Sequence, residues 1–250
     1  MEQLVKTPAS EQLADQLDAV ANYCTACSIA YTQATHDANA AEREQERARL
    51  DVSISGYMTE KRANSDRYKA WVSAVDKSKA LRKAQRLAVI RESSARRATW
   101  KTAQALLARL LLDNCNQLEG MNMRYKRTIK LIGDALPDGF TVYFRSEWGD
   151  LCLSSNRVRF DSEEYGIHLR NEEFGAERER EKLEMLTTPG ATPEQIEQQI
   201  AGLKDAYTAL SNAQDVYKQA VESFSAATSD IRITACNDVD SVLRELGWCF

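Results

Sequence analysis

Proline is almost missing from the first half of this chain. After Pro8 none occurs until Pro137, and glycine falls between them only at 56, 120 and 133. Turns need such breakers, so long helices are expected there. Histidine is scarcer still, with His36 and His168 alone in 250 residues. His36 falls on a predicted solvated helix face and His168 on a predicted strand, so a structural or exposed role is expected for both. Phosphate-cradling glycine loops, a nucleophile elbow and HExxH are all absent. Catalysis by acid, base or nucleophile needs several unlike polar groups to converge, so an enzyme is not expected, nor a metal or cofactor.

No apolar run approaches the ~18 residues of a membrane span. The longest candidate, 106–112, is interrupted by Arg109. Residues 1–8 lack the apolar core of a signal peptide. Six cysteines in a chain this large make no disulfide framework, so reduced thiols and cytoplasmic synthesis are expected. Cys24 and Cys27 form a CxxC. A redox CxxC sits at a helix N-terminus, whereas this pair lies mid-helix on an apolar seam, and zinc would need a second ligand pair. Burial as small apolar residues is the expectation.

What the chain does have is helical period. In 196–231, Ile196, Ile200, Leu203, Tyr207, Leu210, Gln214, Tyr217, Val221, Phe224, Thr228 and Ile231 recur at alternating spacings of four and three. A flanking column, Ala206, Ala213, Ala220 and Ala227, widens the stripe to three columns. That width, with large aromatics and no set of charged flanks, argues against a self-paired dimer and predicts one member of a multi-helix bundle around which the rest is organised. Thr192, Pro193 and Gln195 spell a capping box at its start. A separate last helix is predicted from 237 or 238 to Leu246.

The first helix is predicted from Thr7-Pro8 to about Val52. Its seam is Leu13, Leu17, Val20, Cys24, Cys27, Tyr31, Ala34, Ala38, Ala41, Gln45 and Ala48. The second half of that seam is small residues, which bury little area and should hold less firmly. A reversal at 51–56 leads to a second helical region, 57–135, on the order of 118 Å long if unbroken. It would be a spine for the other two, or break near Arg91–Ser94. Its dense apolar end, from Leu106 to Leu136, should face the 196–231 helix. After Pro137-Asp138-Gly139 the period alternates. Strands are predicted at 140–144, 151–153, 157–160 and 166–169, with one face wet. A short acidic helix follows from 171 to 186.

The fold class expected is mainly α: an elongated multi-helix bundle or coiled coil with a small inserted antiparallel β-meander. Its parts are a long helical hairpin (1–136), the β-meander insertion (137–171) and C-terminal helices packing back on the bundle (172–250).

Charge is unevenly placed. Residues 60–109 hold 14 Lys/Arg against 4 Asp/Glu, and 160–250 hold 8 against 18. The plain reading is that the basic helix lies against the acidic C-terminal third of its own chain or a neighbour's. The functional reading is nucleic-acid binding through Arg82, Lys83, Arg86, Arg96, Arg97 and Lys101, with Trp71 and Trp100 stacking on bases. Long rigid helices with a compact β element favour a third picture, a non-enzymatic structural or assembly protein that associates with itself or other proteins. By analogy of architecture it suits a virion or secretion-type machine. Val142, Phe144 and Trp148 of the insertion and Trp248 and Phe250 of the apolar terminus are its candidate contacts. A helical pore-forming or membrane-remodelling protein is a further alternative, weakened because its insertion should be strongly apolar and this one alternates with charge. A membrane is not an expected partner.

Overall fold

Helices α1 (Pro8–Ile54) and α2 (Asp66–Asp113) pack antiparallel. Asp113 of α2 meets Thr7 at the start of α1, Thr99 meets Val20, Glu92 meets Ser28, and Lys77 meets Glu44. The protein is seen in a computed structural model that describes residues 3–54, 66–159, 166–169 and 172–245, with side chains throughout these except 53–54 and 225–245. The fold is mainly α with one small antiparallel sheet. Cα packing divides the chain into two compact units, Met1–Ile200 and Ala201–Phe250.

The start of α1 follows from its first residues. Thr7 N–H donates to Ser10 Oγ (2.9 Å), and Ser10 N–H donates back to Thr7 Oγ1 (3.3 Å), a reciprocal cap with Pro8 at the first helical position. The seam predicted for α1 is the buried one: Leu13, Leu17, Val20, Cys24, Cys27, Ala38 and Ala41 are all inside. The larger side chains of its first half join the main core, together with Ala95 to Leu111 of α2, Leu118, Met123, Ile132, the sheet, Phe174 and Leu183.

The predicted 57–135 helix is corrected. α2 passes unbroken through Ser93 and Ser94 and ends at Asp113, and residues 55–65 lie outside those described. Two short helices follow, α3 (Cys115–Leu118) and α4 (Lys126–Gly133). The stop has a physical cause at Asn114. Its amide Nδ2 donates to the Leu110 carbonyl (2.8 Å) and to the Val5 carbonyl (3.0 Å), while Oδ1 accepts the Val5 N–H (2.7 Å). The side chain thus takes up a carbonyl near the helix end and ties the chain's N-terminal segment across it. Gly120, at φ +74°, supplies the next reversal.

The sheet has order β1-β2-β3, antiparallel throughout: β1 (Phe140–Arg145), β2 (Asp150–Ser155) and β3 (Gly166–His168). The strand predicted at 157–160 does not form. Residues 156–158 are bends that place Arg157 against Asp18 and Asn22 of α1, and Phe160 lies outside the described residues. Phe140, Val142, Leu151, Leu153 and Ile167 face the core. Helix α5 (Ala176–Leu186) begins five residues later than predicted and packs on α2.

The loop after α5 seats on α2. Gly190 N–H donates to Thr102 Oγ1 (3.1 Å) and its carbonyl accepts from Gln16 Nε2 (3.2 Å). A Cβ on Gly190 would stand 2.4 Å from the Ala98 carbonyl oxygen, so only glycine fits. Helix α6 (Pro193–Glu245) then starts at the predicted capping box: Thr192 N–H donates to Gln195 Oε1 (2.9 Å), and Gln195 N–H donates to Thr192 Oγ1 (3.4 Å). It runs on to Glu245, so the separate last helix is also corrected.

Helix α6 is not the centre of the core. Ile196 and Ile200 are its buried seam residues, and every side chain from 201 to 224 is exposed. The apolar end of α2 packs in a cluster shared with the first half of α1, the sheet, and Ile196 and Ile200 at the start of α6. No helix among the described residues is long and apolar enough to cross a membrane.

Candidate interaction surfaces

The basic residues of α2 divide into two sets by helical phase. The face toward α1 carries Ala74, Ser78, Ala88, Glu92, Ala95, Thr99, Ala103 and Leu106, all buried. On its flanks the cations are matched: Lys77 by Glu44 (2.6 Å), Arg82 by Glu42, Arg91 by Glu197 (2.7 Å) and Arg96 by Glu92. The acids that meet α2 thus come mostly from α1 and α2 itself, and Glu197 adds one from the C-terminal third. Glu92 is buried and also accepts from Ser28 Oγ (3.2 Å), so Arg96 neutralises a carboxylate inside the fold.

The opposite face of α2 carries Lys79, Lys83, Arg86, Arg97 and Lys101, all exposed. Their spacings of four, three, eleven and four return to one side of a 3.6-residue helix. Over ~33 Å this makes a row of five cations. Of the six nucleic-acid candidates, Lys83, Arg86, Arg97 and Lys101 lie in that row, while Arg82 and Arg96 are in ion pairs. Trp100 is buried at 6% exposure and does not present a stacking surface. Trp71 is half-buried, with its ring centroid 5.5 Å from that of Tyr68.

The sheet presents its own outer face. Pairing of Tyr143 with Cys152 and of Asp150 with Arg145 and His168 gathers five polar or reactive side chains there. Asp150 is the hub, bonded to Arg145 Nη2 (2.9 Å) and to His168 Nδ1 (2.9 Å). Register, which strand period alone does not supply, brings them together. The Cys152 thiol is held protonated by burial, which outweighs the lowering by Arg145, so the set lacks an activated nucleophile. Of the candidate contacts, Val142 is buried and Phe144 packs on the core, so neither is offered to a partner. Trp148 is exposed on the β1–β2 turn, with the Arg145 guanidinium 5.7 Å from its ring centroid. Trp248 and Phe250 lie outside the described residues.

Along α6 the predicted seam lies in the open. Leu203, Tyr207, Leu210, Tyr217, Val221 and Phe224 are between 37% and 72% exposed. Large apolar side chains repeated on one helix face, rather than scattered singly, mark a contact surface.

No family model, curated protein or solved structure matches this chain. The chemistry must therefore be judged from the residues alone.

Cys24 and Cys27 are buried on the α1 seam. Burial, reinforced by the Glu92 charge, raises the Cys24 thiol to about 11, and burial raises Cys27 as well. Both are inert thiols rather than a redox pair. Groups of three or more His, Cys, Asp or Glu able to hold a metal do not occur among the described residues. A cleft of about 670 Å³ beside α4 is lined by Asn122, Tyr125, Arg127, Thr128, Lys130 and Glu173, among others. Lys130 is paired with Asp134 (2.6 Å), and neither histidine nor cysteine is among its described lining residues. It offers space and a lining of mixed polarity.

Proposed function

We propose that this chain is a non-enzymatic structural or assembly protein, a helical subunit of an oligomeric complex. The observation that carries the reading is the row of large apolar side chains exposed on residues 203–224 of α6. Water-exposed leucine, tyrosine, valine and phenylalanine in helical register gain free energy when another surface covers them. Trp148, exposed on the β1–β2 turn and braced by Arg145, supports a second contact through the β insertion. Light scattering on the purified chain across a concentration series tests the reading. A mass above one chain that rises with concentration supports it, and a single-chain mass at every concentration overturns it. Trp148→Ala separates the insertion from α6, because an exposed turn residue can be removed without disturbing the core.

The exposed row Lys79, Lys83, Arg86, Arg97 and Lys101 favours a second reading, nucleic-acid binding along the outer face of α2. Binding to a short DNA duplex that weakens steeply with salt would support it.

A further inference from the structure

We infer that the α6 face at residues 203–224 pairs with the same face of a second copy of this chain, with Gln214 meeting Gln214. The inference rests on the assembly reading and names its partner.

The sequence reads the wide stripe and its aromatics against a self-paired dimer, but the seam is exposed from Leu203 to Phe224, and three observations favour a second copy over a different macromolecule. The first is the placement of the one polar residue on the seam. Gln214 lies at its midpoint, between Leu203, Tyr207 and Leu210 on one side and Tyr217, Val221 and Phe224 on the other. When two such helices pair across this face, parallel or antiparallel, the midpoint meets the midpoint. A side-chain amide both donates and accepts, so two glutamines satisfy each other across the seam. An apolar groove on an unrelated protein would bury Gln214 without a partner, at the cost of a lost hydrogen bond. Polar residues at single seam positions fix register in paired helices in this way.

The second is charge. Residues 201–224 carry Lys204, Asp205, Asp215, Lys218 and Glu222, two cations and three anions, and Lys218 lies 3.9 Å from Glu222 on the same helix. A balanced surface of this kind is neither drawn to nucleic acid or an anionic membrane nor repelled by its own copy.

The third is area. At ~150–250 Å² per ring, the three aromatics together with Leu203, Leu210, Val221 and the alanine column reach on the order of the ~800 Å² that each side of a standard interface buries. Ala206, Ala213 and Ala220 flank the seam and let the helices approach closely.

The test uses the full-length chain. Tyr217→Glu and Leu210→Glu each place a charge on the seam, and Gln219→Glu places one on an exposed position away from it. The expected result is that the two seam variants fall to the 28.2 kDa of one chain while Gln219→Glu keeps the wild-type mass. Circular dichroism on each variant shows whether the helices survive. Gln214→Cys, treated with oxidised glutathione beside the wild-type chain, should give a disulfide-linked dimer mapped by mass spectrometry to 214–214. Asn212→Cys, off the seam, should not. A wild-type oligomer that both seam variants retain, or a 214 thiol that never cross-links to itself, overturns the α6 pairing and leaves the assembly reading standing. A wild-type chain that is monomeric throughout overturns both.

Discussion

The Asn114 side chain holds the backbone of Val5, 109 residues away, through two hydrogen bonds of 2.7 and 3.0 Å. A third, to the Leu110 carbonyl at 2.8 Å, makes the same amide the stop of α2. One buried residue therefore ends a helix of 48 residues and anchors the segment that leads into α1. Asn114→Ala removes all three bonds and should cost about 2 kcal/mol, at ~1 kcal/mol net for each bond lost less what exposed Val5 recovers from water. Chemical denaturation measures it. Asn114→Asp keeps the acceptor but sets a buried carboxylate oxygen against the Leu110 and Val5 carbonyls, so it should destabilise at least as much as the alanine variant.

Gly190 provides an equally local test of packing. The Ala98 backbone leaves no room for a Cβ, and the contacting atoms are main chain that cannot swing aside. Gly190→Ala should cost about 1–3 kcal/mol by forcing the loop off α2. It should also break the bonds to Thr102 and Gln16. A melting temperature equal to wild type would mean that the loop does not sit there in solution.

These two contacts mark the boundary of what the sequence reveals. Local chemistry was readable. The α1 seam from Leu13 to Ala41 follows from four-three spacing, and the capping box at Thr192 and Gln195 follows from residue type and offset. The end of α2 was not readable, because Asn114 stops the helix together with Val5, more than a hundred positions away, and neither proline nor glycine occurs from 57 to 119. The seam of α6 was legible as a period but not as a location. Periodicity states that a face is apolar and says nothing of which surface covers it, so among the described seam residues, 196–224, the helix that looked central is buried at Ile196 and Ile200 alone. Arg96 and Trp100 show the same limit. A basic or aromatic residue reads alike whether it faces water or, as here, a buried Glu92 and the core. The sheet's outer face depends on register, which set Asp150 between Arg145 and His168.

Cys24 gives a prediction in pH. Its thiol stands at about 11 in the fold against an ordinary 9.0, because burial and the Glu92 charge oppose the thiolate. The folded chain thus holds this proton more tightly than the unfolded one. The stabilisation is whole below pH 9 and is lost as pH rises through 11, with an upper limit of about 2.7 kcal/mol. Urea unfolding at a series of pH values should show the fall, and Cys24→Ala should flatten it at a fixed cost of about 1 kcal/mol for the space left. At neutral pH, iodoacetamide should leave Cys24 unmodified until denaturant is added.

The outer face of α2 yields the sharpest test of the nucleic-acid reading. Lys83, Arg86, Arg97 and Lys101 are exposed and stand in one row, whereas Lys77 and Arg82 are held by Glu44 and Glu42. Replacing the four exposed cations by glutamine should leave the fold intact, since none is buried. If phosphates bind this row, the slope of log K against log salt should fall by about 0.9 for each contact removed, or roughly 3–4 in all. Lys77→Gln with Arg82→Gln removes as much charge per residue from the flank and should change the slope little. Fluorescence anisotropy with a labelled duplex reads both. Equal slopes for the fourfold and flank variants, or no binding by the wild-type chain at low salt, would eliminate the row as a nucleic-acid surface and leave its cations as solvation of a helix face.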